Sequence, residues 1–599
     1  MSRGRIVSIG GPVMTAESDV PFALHEAVRI GPQALLGEVM RIDGPRVVAQ
    51  VYEDTTGLRP GIEVTGDGTP LAIRLGPHLL GRMFDGLLRP LPGHDASHIE
   101  PGMRMPGVEH YTFTPQVRAG DAVPRGGVLG TIATGRGRDQ RCLAPPTVGG
   151  TIVEIAGAGS YREDETIVRV KDDAGVVHEV AMSHTWPVRT PRPVAARKPT
   201  ALPLVTGQRI LDALFPVALG GKSAVPGGFG TGKTVLLEAL AKGSNADVIV
   251  YLGCGERGNE IAGVLEEFPR LDDPRTGRPL MERTVIIANA SNMAVAAREA
   301  SIYCAITVAE YFRDQGLAVA LMADSTSRWA EALREVSGRF GELPGEGGYP
   351  AYLSSRLADF YERAALVQTL AGDEGSVTVI GAISPPSGDF SEPVTSHTKR
   401  YVKAFWALDV RRAQARFYPA IHPLTSYAED ADAFAAWWAS NGNPAWLALR
   451  RRFLTLLDDE ARIERMARII GKDALPASQQ VTLLCAELVN EAFLRQSALS
   501  MVDRVCSPAK TASMMKLVGR FCDLAEGALA RGVAPQALAQ LPTRRALIRM
   551  GEDVAATDLA RMDEIALAME RDFADLVAEK GNDDGNKDAD QDGDHATDR

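Results

Sequence analysis

From Arg5 to about Arg74, short β-rich runs such as Arg46-Val47-Val48-Ala49-Gln50-Val51-Tyr52 are broken by Gly and Pro at short intervals, a spacing that predicts a small β-barrel. A second β-rich stretch, about 111–190, carries Gly127–Ile132 and Gly149–Ile155 between close turns and predicts a separate β module. Prolines and basic residues without periodicity over Pro191–Pro199 read as a linker. Beyond it the pattern changes: Ala246–Leu252, Thr284–Ala290 and Leu317–Ala323 read as buried strands separated by helices. One of those helices sets Ile302, Ile306, Ala309 and Phe312 on one face. Such alternation predicts a mainly parallel sheet covered by helices. After about 430 the strand signals stop, and Trp446–Ile469, Gln479–Gln496 and Thr511–Arg531 predict a helical domain. Gly581–Arg599 holds seven Asp and almost nothing apolar, so disorder is expected there.

Composition changes this picture little. A chain of 599 residues exceeds one hydrophobic core and calls for several domains. Its net charge of −11 argues against a nucleic-acid-wrapping chain, which needs clustered Lys and Arg. Six cysteines lie scattered without metal-ligand spacing, fitting free thiols in a reducing cytoplasm. No secretory signal or run long enough to span a bilayer occurs, so the expected place is cytosolic or peripheral to a membrane.

Gly227-Gly228-Phe229-Gly230-Thr231-Gly232-Lys233-Thr234 fits G-x-x-x-x-G-K-[ST], with a short apolar run before it and helix formers after it. Glycines let successive backbone N–H groups turn toward a polyphosphate, and the helix that follows offers its positive dipole end. Lys233 is then the residue for the β and γ phosphates, and Thr234 for Mg²⁺. Asp324 ends the apolar run Leu317–Ala323, where an acid either caps the next helix or holds magnesium through water. Glu256 emerges after the strand that follows the loop, where a carboxylate can polarise an attacking water. Arg257 beside it either fixes γ-phosphate charge or makes a structural ion pair. Weaker signals carry blander readings. Asp588–Gly593 begins like a calcium loop but has Arg599 where Glu is needed. Trp437 and Trp438 suit core or interface packing. Arg450-Arg451-Arg452 spread about 100° apart around a helix, which suits a solvated surface or subunit contact.

These residues, with Leu204-Val205-Thr206-Gly207-Gln208-Arg209, Asp212–Pro216, Gly253–Glu260, Asn292–Glu299, Ala323–Glu335 and Ser384–Pro393, closely resemble the catalytic A subunits of V-type and A-type rotary ATPases, from about Gly4 to about Arg571. The resemblance implies an N-terminal β-barrel (1–75), a connection (76–110), a β-rich insertion (111–190), a P-loop ATP-binding domain (191–430), a C-terminal helical domain (431–575) and an acidic tail (576–599). Motif by motif it implies that Lys233 and Thr234 handle phosphate and Mg²⁺, that Glu256 orients water, and that Arg257 and Arg328 contact phosphate or hold that carboxylate. Asp324 takes the magnesium role, Tyr418 lies against adenine, and Phe493 is similarly placed.

Partners implied by the resemblance are B-type subunits alternating in an A3B3 ring, each supplying an arginine, with central and peripheral stalks and a membrane rotor moving protons or sodium ions. The place implied is the cytoplasmic face of a prokaryotic cell membrane. Three departures stand out: Ser426-Tyr427-Ala428 replaces a signature ending Ser-x-Ser, Leu499 stands where an aromatic is usual, and Thr231 replaces the cysteine of eukaryotic relatives, which removes their redox switch. Two other readings of the phosphate loop remain open, a RecA-type motor on nucleic acid and a ring subunit that binds nucleotide without turning it over.

Overall fold

The computed structural model describes residues 1–91, 108–135, 137–471 and 474–592. Contacts divide the chain into two compact units: Met1–Thr200, Ala218–Phe229 and Asn245–Lys403 form the first, Ala201–Val217, Gly230–Ser244 and Ala404–Arg599 the second.

The first unit begins with a closed barrel of β1 (Ser2–Gly10), β2 (Val13–Val20), β3 (Glu26–Ile30), β4 (Leu35–Asp43), β5 (Arg46–Val51) and β6 (Glu63–Pro70), in the order β1-β2-β5-β4-β3-β6. Alternate residues such as Ile6, Val28, Ile30, Val39 and Val64 point inward and fill it. The β-rich insertion is a pair of four-stranded antiparallel sheets with its own core, built on Phe113, Leu129, Ile132 and Val170.

Its third part is a parallel sheet in the order Lys222–Pro226, Glu374–Ile383, Ala318–Asp324, Val248–Glu256, Thr284–Ala290 and Met83–Asp85. The three strands expected from apolar runs are all here, two of them running a little further toward their carboxyl ends. Buried on both faces, they read as continuous apolar sequence. The expected linker is only partly one. Ala196–Lys198 pairs with Ala365–Gln368 as an antiparallel edge, and the buried Arg192 donates to Asp314 at 2.6 Å. Proline ends near 191 and 199 hid a short stretch that the sheet edge could accept.

Helix α4 (Val295–Asp314) carries the expected apolar face, yet almost every one of its residues is buried. Glu299, Glu310, Arg313 and Asp314 tolerate burial because each is in an ion pair, while Arg298 donates to the Ser291 carbonyl at 3.1 Å. Arg189 bridges Glu38 of the barrel (3.0 Å) and Glu299 of α4 (2.8 Å), while Arg363 donates to Glu310 (3.1 Å). Burial raises the pKa of Glu38, but hydrogen bonding from His25 and the charge of Arg189 bring it down to about 2.

The second unit holds α1 (Arg209–Leu214), α2 (Lys233–Gly243) and the C-terminal helices Trp446–Ile470, Ala477–Leu488, Pro508–Ala530, Pro542–Asp553 and Ala560–Asp592. Pro508 at the first turn and Ser507, whose Oγ accepts from the Lys510 amide at 3.3 Å, fix the start of the third of these. Trp438 stacks on Trp446, whose Nε1 donates to the Ala213 carbonyl at 3.0 Å, so the tryptophans are core. The three arginines do point three ways: Arg450 to the Leu214 carbonyl, Arg451 to Asp432, Arg452 to Asp523 and Glu526.

One expectation is corrected. The last helix continues to Asp592 rather than giving way to an acidic tail from 576. Met562, Met569 and Phe573 anchor its first turns, and once a helix is nucleated each further residue fixed adds one hydrogen bond, which carries it past 580 into a stretch rich in Gly, Asn and Asp. Residues 593–599, the rest of the tail and of the calcium-like segment, lie outside the described ones.

Candidate active site

In the first unit, parallel register brings the acids to one edge. Gly253 lies opposite Asp324 on the neighbouring strand, so Glu256 and Asp324 leave adjacent carboxyl ends of the sheet. Between Cys254 and Glu256 the pairing slips at a bulge on Gly255, whose φ is +71°. A bulge re-aims the side chain that follows it. Only glycine fits there, since an added Cβ would stand 2.7 Å from Arg298 Cδ and 2.8 Å from Arg328 Cβ.

Burial, followed by repulsion from Asp324 and a hydrogen bond with Glu260, pushes the Glu256 carboxyl up to about 8, against a smaller pull from Arg328. Asp324 itself is buried, with the Tyr251 hydroxyl 3.4 Å from its Oδ2. Neither nearby arginine forms a direct ion pair with Glu256 here. Arg328 is held by Glu331 at 2.9 Å, and the Arg257 guanidinium lies over the exposed Phe229 ring, 5.1 Å from its centroid. Gly227 and Gly228 follow the strand Lys222–Pro226, and the Gly227 amide donates to the Ile383 carbonyl at 3.1 Å.

In the second unit, Gly230 and Gly232 take φ of +75° and +84°, with open space where a Cβ would stand, and Gly232 precedes α2 with no side chain capping it. Lys233 and Thr234 are thus the first residues of that helix, at its positive dipole end. A cavity of about 670 Å³ opens beside Gly230–Gly232, a size ordinary for a small-molecule site. Tyr418, Pro419, Ala420 and Leu499 line it, and the buried Tyr418 hydroxyl finds no hydrogen-bond partner among the described residues. Phe493 does not line it. Its ring is fully buried, edge-to-face against Phe453 with centroids 5.6 Å apart, because the π-helical turn Val489–Leu494 rolls it into the helical core. Leu499 lines the cavity while remaining 95% exposed. Tyr427 stacks on Phe405 at 5.4 Å, so the Ala428 departure leaves the strand pair around it intact.

The nucleotide-binding domain of the ATP synthase alpha/beta family matches residues 207–428. The family's beta-barrel domain matches 6–68, its barrel-sandwich domain 105–189, and the C-terminal domain of V and A type ATP synthase 435–537. The A subunit of the A-type ATP synthase of Thermococcus sp. (strain KI) is 50% identical over 555 residues, 91% of this chain and 95% of that one. The chain belongs to the A subunits of the A/V-type ATP synthases. The A subunit of Methanopyrus kandleri is 47% identical over 96% of this chain and 99% of its own, and the V-type ATP synthase alpha chain of Halothermothrix orenii 46% over 95% and 98%. The fold is shared with the ATPase EscN of the enteropathogenic E. coli type III secretion system, with a TM-score of 0.61 at 23% identity, over 86% of this chain and 99% of that one.

For an A subunit, the match over 207–428 takes in the whole phosphate loop and also Glu256, Arg257, Asp324, Arg328 and Tyr418, and nucleotide binding follows from it. Sequence reading missed two sets of residues. Glu260, which hydrogen-bonds Glu256, was hidden because the partnership depends on how α3 (Gly258–Glu267) leaves the strand. Arg209, Gln496 and Asp503, which also line the cavity, are distant in sequence and carry no shared pattern.

Proposed function

We propose that this chain is the catalytic subunit of a rotary A/V-type ATPase, interconverting ATP with ADP and phosphate. The observation that carries the proposal is the pair Glu256 and Asp324 at adjacent strand ends, in a chain whose phosphate loop is intact. Lys233 would hold the β and γ phosphates, and the loop amides that follow Gly227 would orient them. Glu256 would keep a water by hydrogen bond and take its proton. Pushed up to about 8, it is a stronger base than an ordinary carboxylate and is increasingly ionised as pH rises toward 8. Arg257 and Arg328 would bind γ-phosphate charge once drawn from Phe229 and Glu331. Tyr418 would lie against adenine.

The donor set fits Mg²⁺. Among the described residues no three acids or histidines cluster as a metal cage, and Mg²⁺ needs none, since it takes one or two protein oxygens together with phosphates and waters. Asp324 and Thr234 would hold it. When bound it would neutralise charge on the phosphate oxygens.

The proposed setting is an A3B3 ring in which B-type subunits complete each site with an arginine. Stalks would couple the ring to a rotor that moves protons or sodium ions, with this chain peripheral on the cytoplasmic face of a cell membrane. No described helix is long and apolar enough to cross a membrane. Lys233→Ala in the assembled complex is expected to reduce ATP turnover by roughly 10²–10³-fold or more. Turnover near the wild-type rate, measured by phosphate release, would remove the site assignment.

A further inference from the structure

The motif Thr206-Gly207-Gln208-Arg209 has no role in the chemistry above, yet Arg209 lies at the centre of a heavily bonded polar cluster of the second unit. Arg209, Gln496, Asp503 and Lys510 are each at most 2% exposed. The Arg209 guanidinium pairs with Asp503, donates through Nε to the Phe493 carbonyl at 2.8 Å and through Nη2 to the Arg495 carbonyl. Its amide donates to Gln496 Oε1 at 2.9 Å. Gln496 Nε2 donates in turn to the Gly207 carbonyl (2.9 Å) and the Asp503 carbonyl (2.7 Å), while its own amide donates to the Tyr418 carbonyl at 2.7 Å. Asp503 Oδ2 accepts from the Ser497 amide at 2.7 Å. Lys510 Nζ donates to the Gly551 carbonyl at 2.7 Å and the Val502 carbonyl at 3.2 Å.

Tyr418, the loop 497–499 and Gly551 stand on three walls of the 670 Å³ cavity. The cluster therefore holds the backbone of these three walls, through the Tyr418 and Gly551 carbonyls and the Ser497 amide. A buried network that is fully satisfied rigidifies its surroundings and allows one arrangement. Arg fits the central place because its planar fork can hold a carboxylate and two carbonyls together, which Lys cannot.

We infer that Arg209, Gln496 and Asp503 are positioning residues that set the spacing of the cavity walls and so govern recognition of the nucleobase. This rests on the reading of the cavity as the base site. It is separable from phosphate binding, which the loop performs with its own backbone.

The test compares ATP with inorganic tripolyphosphate, which has no base, by titration calorimetry on the full chain, for wild type, Asp503→Asn, Arg209→Lys and Lys233→Ala. The expected result is that Asp503→Asn and Arg209→Lys weaken ATP about tenfold or more, leave tripolyphosphate within about twofold, and shrink the preference for ATP over GTP. Equal loss for both ligands, or no loss for either, overturns the inference. Lys233→Ala should weaken both ligands together. If it weakens neither, the nucleotide reading fails, and the inference with it. Should the single variants not fold, Arg209→Met with Asp503→Leu and Lys510→Met removes the paired charges of the cluster together, since Lys510 lies 4.0 Å from Asp503, and the same selective loss of ATP is expected.

Discussion

The strand ends that carry Glu256 and Asp324 and the cavity beside Gly230–Gly232 are built on opposite principles. The first takes its geometry from parallel pairing: Gly253 opposite Asp324, one bulge at Gly255, and side chains emerging from strands packed on both faces. The second is walled by Tyr418–Ala420, the 497–499 loop and the helix Pro542–Asp553, segments that no ladder aligns. A strand end places a carboxylate because the backbone has no freedom there. A loop-walled cavity has only what its polar cluster fixes, and such walls tolerate substitution.

Breaking the bulge is the most damaging change expected within this contrast. Gly255→Ala forces a side chain into left-handed backbone and against Arg298 and Arg328. A loss of about 1–3 kcal/mol in stability is expected, with turnover falling more than nucleotide affinity, as read by thermal melting alongside ATPase assays. Unchanged melting and turnover would mean that the bulge does not aim Glu256.

At the cavity the expected effect is smaller and of opposite sign. Leu499→Phe restores an aromatic where an exposed leucine now stands, and an aromatic contact contributes about 0.5–1.5 kcal/mol. ATP affinity should rise a few-fold, with kcat little changed. No gain would show that Leu499 does not meet the base.

A further effect concerns pH. Because Glu256 titrates near 8 in the nucleotide-free chain, against about 4.5 when unfolded, the folded state holds more protons between those values. Stability from this group is therefore greatest below about 4.5 and falls as pH rises through about 8. Urea melts across that window should show the decline, and Glu256→Gln should flatten it. Glu38 acts with the reverse sign, its contribution disappearing as pH falls from about 4.5 to about 2.

The same contrast explains what could be read from sequence. Apolar runs ending in Glu256 and Asp324 declare themselves because a strand buried on both faces has one reading, and the phosphate loop because its glycines have few alternative uses. The barrel and insertion were legible from spacing of turns, and the helical domain from its period. Cavity walls were not legible. Phe493 has the right composition for a base pocket but is turned into the core by a π-helical turn, and nothing local to Arg209 announces Asp503 almost three hundred residues away. The acidic tail misled for another reason: composition disfavours a core but does not forbid a helix already nucleated by Met562, Met569 and Phe573.

The central claim is that Glu256 serves the chemical step and not the binding of nucleotide. Single-turnover hydrolysis by the assembled ring, with ATP binding measured separately, tests it most directly in Glu256→Gln. The account predicts nucleotide affinity within a few-fold of wild type and a chemical step slower by roughly 10²–10⁴-fold. A variant that hydrolyses bound ATP at the wild-type rate would contradict it.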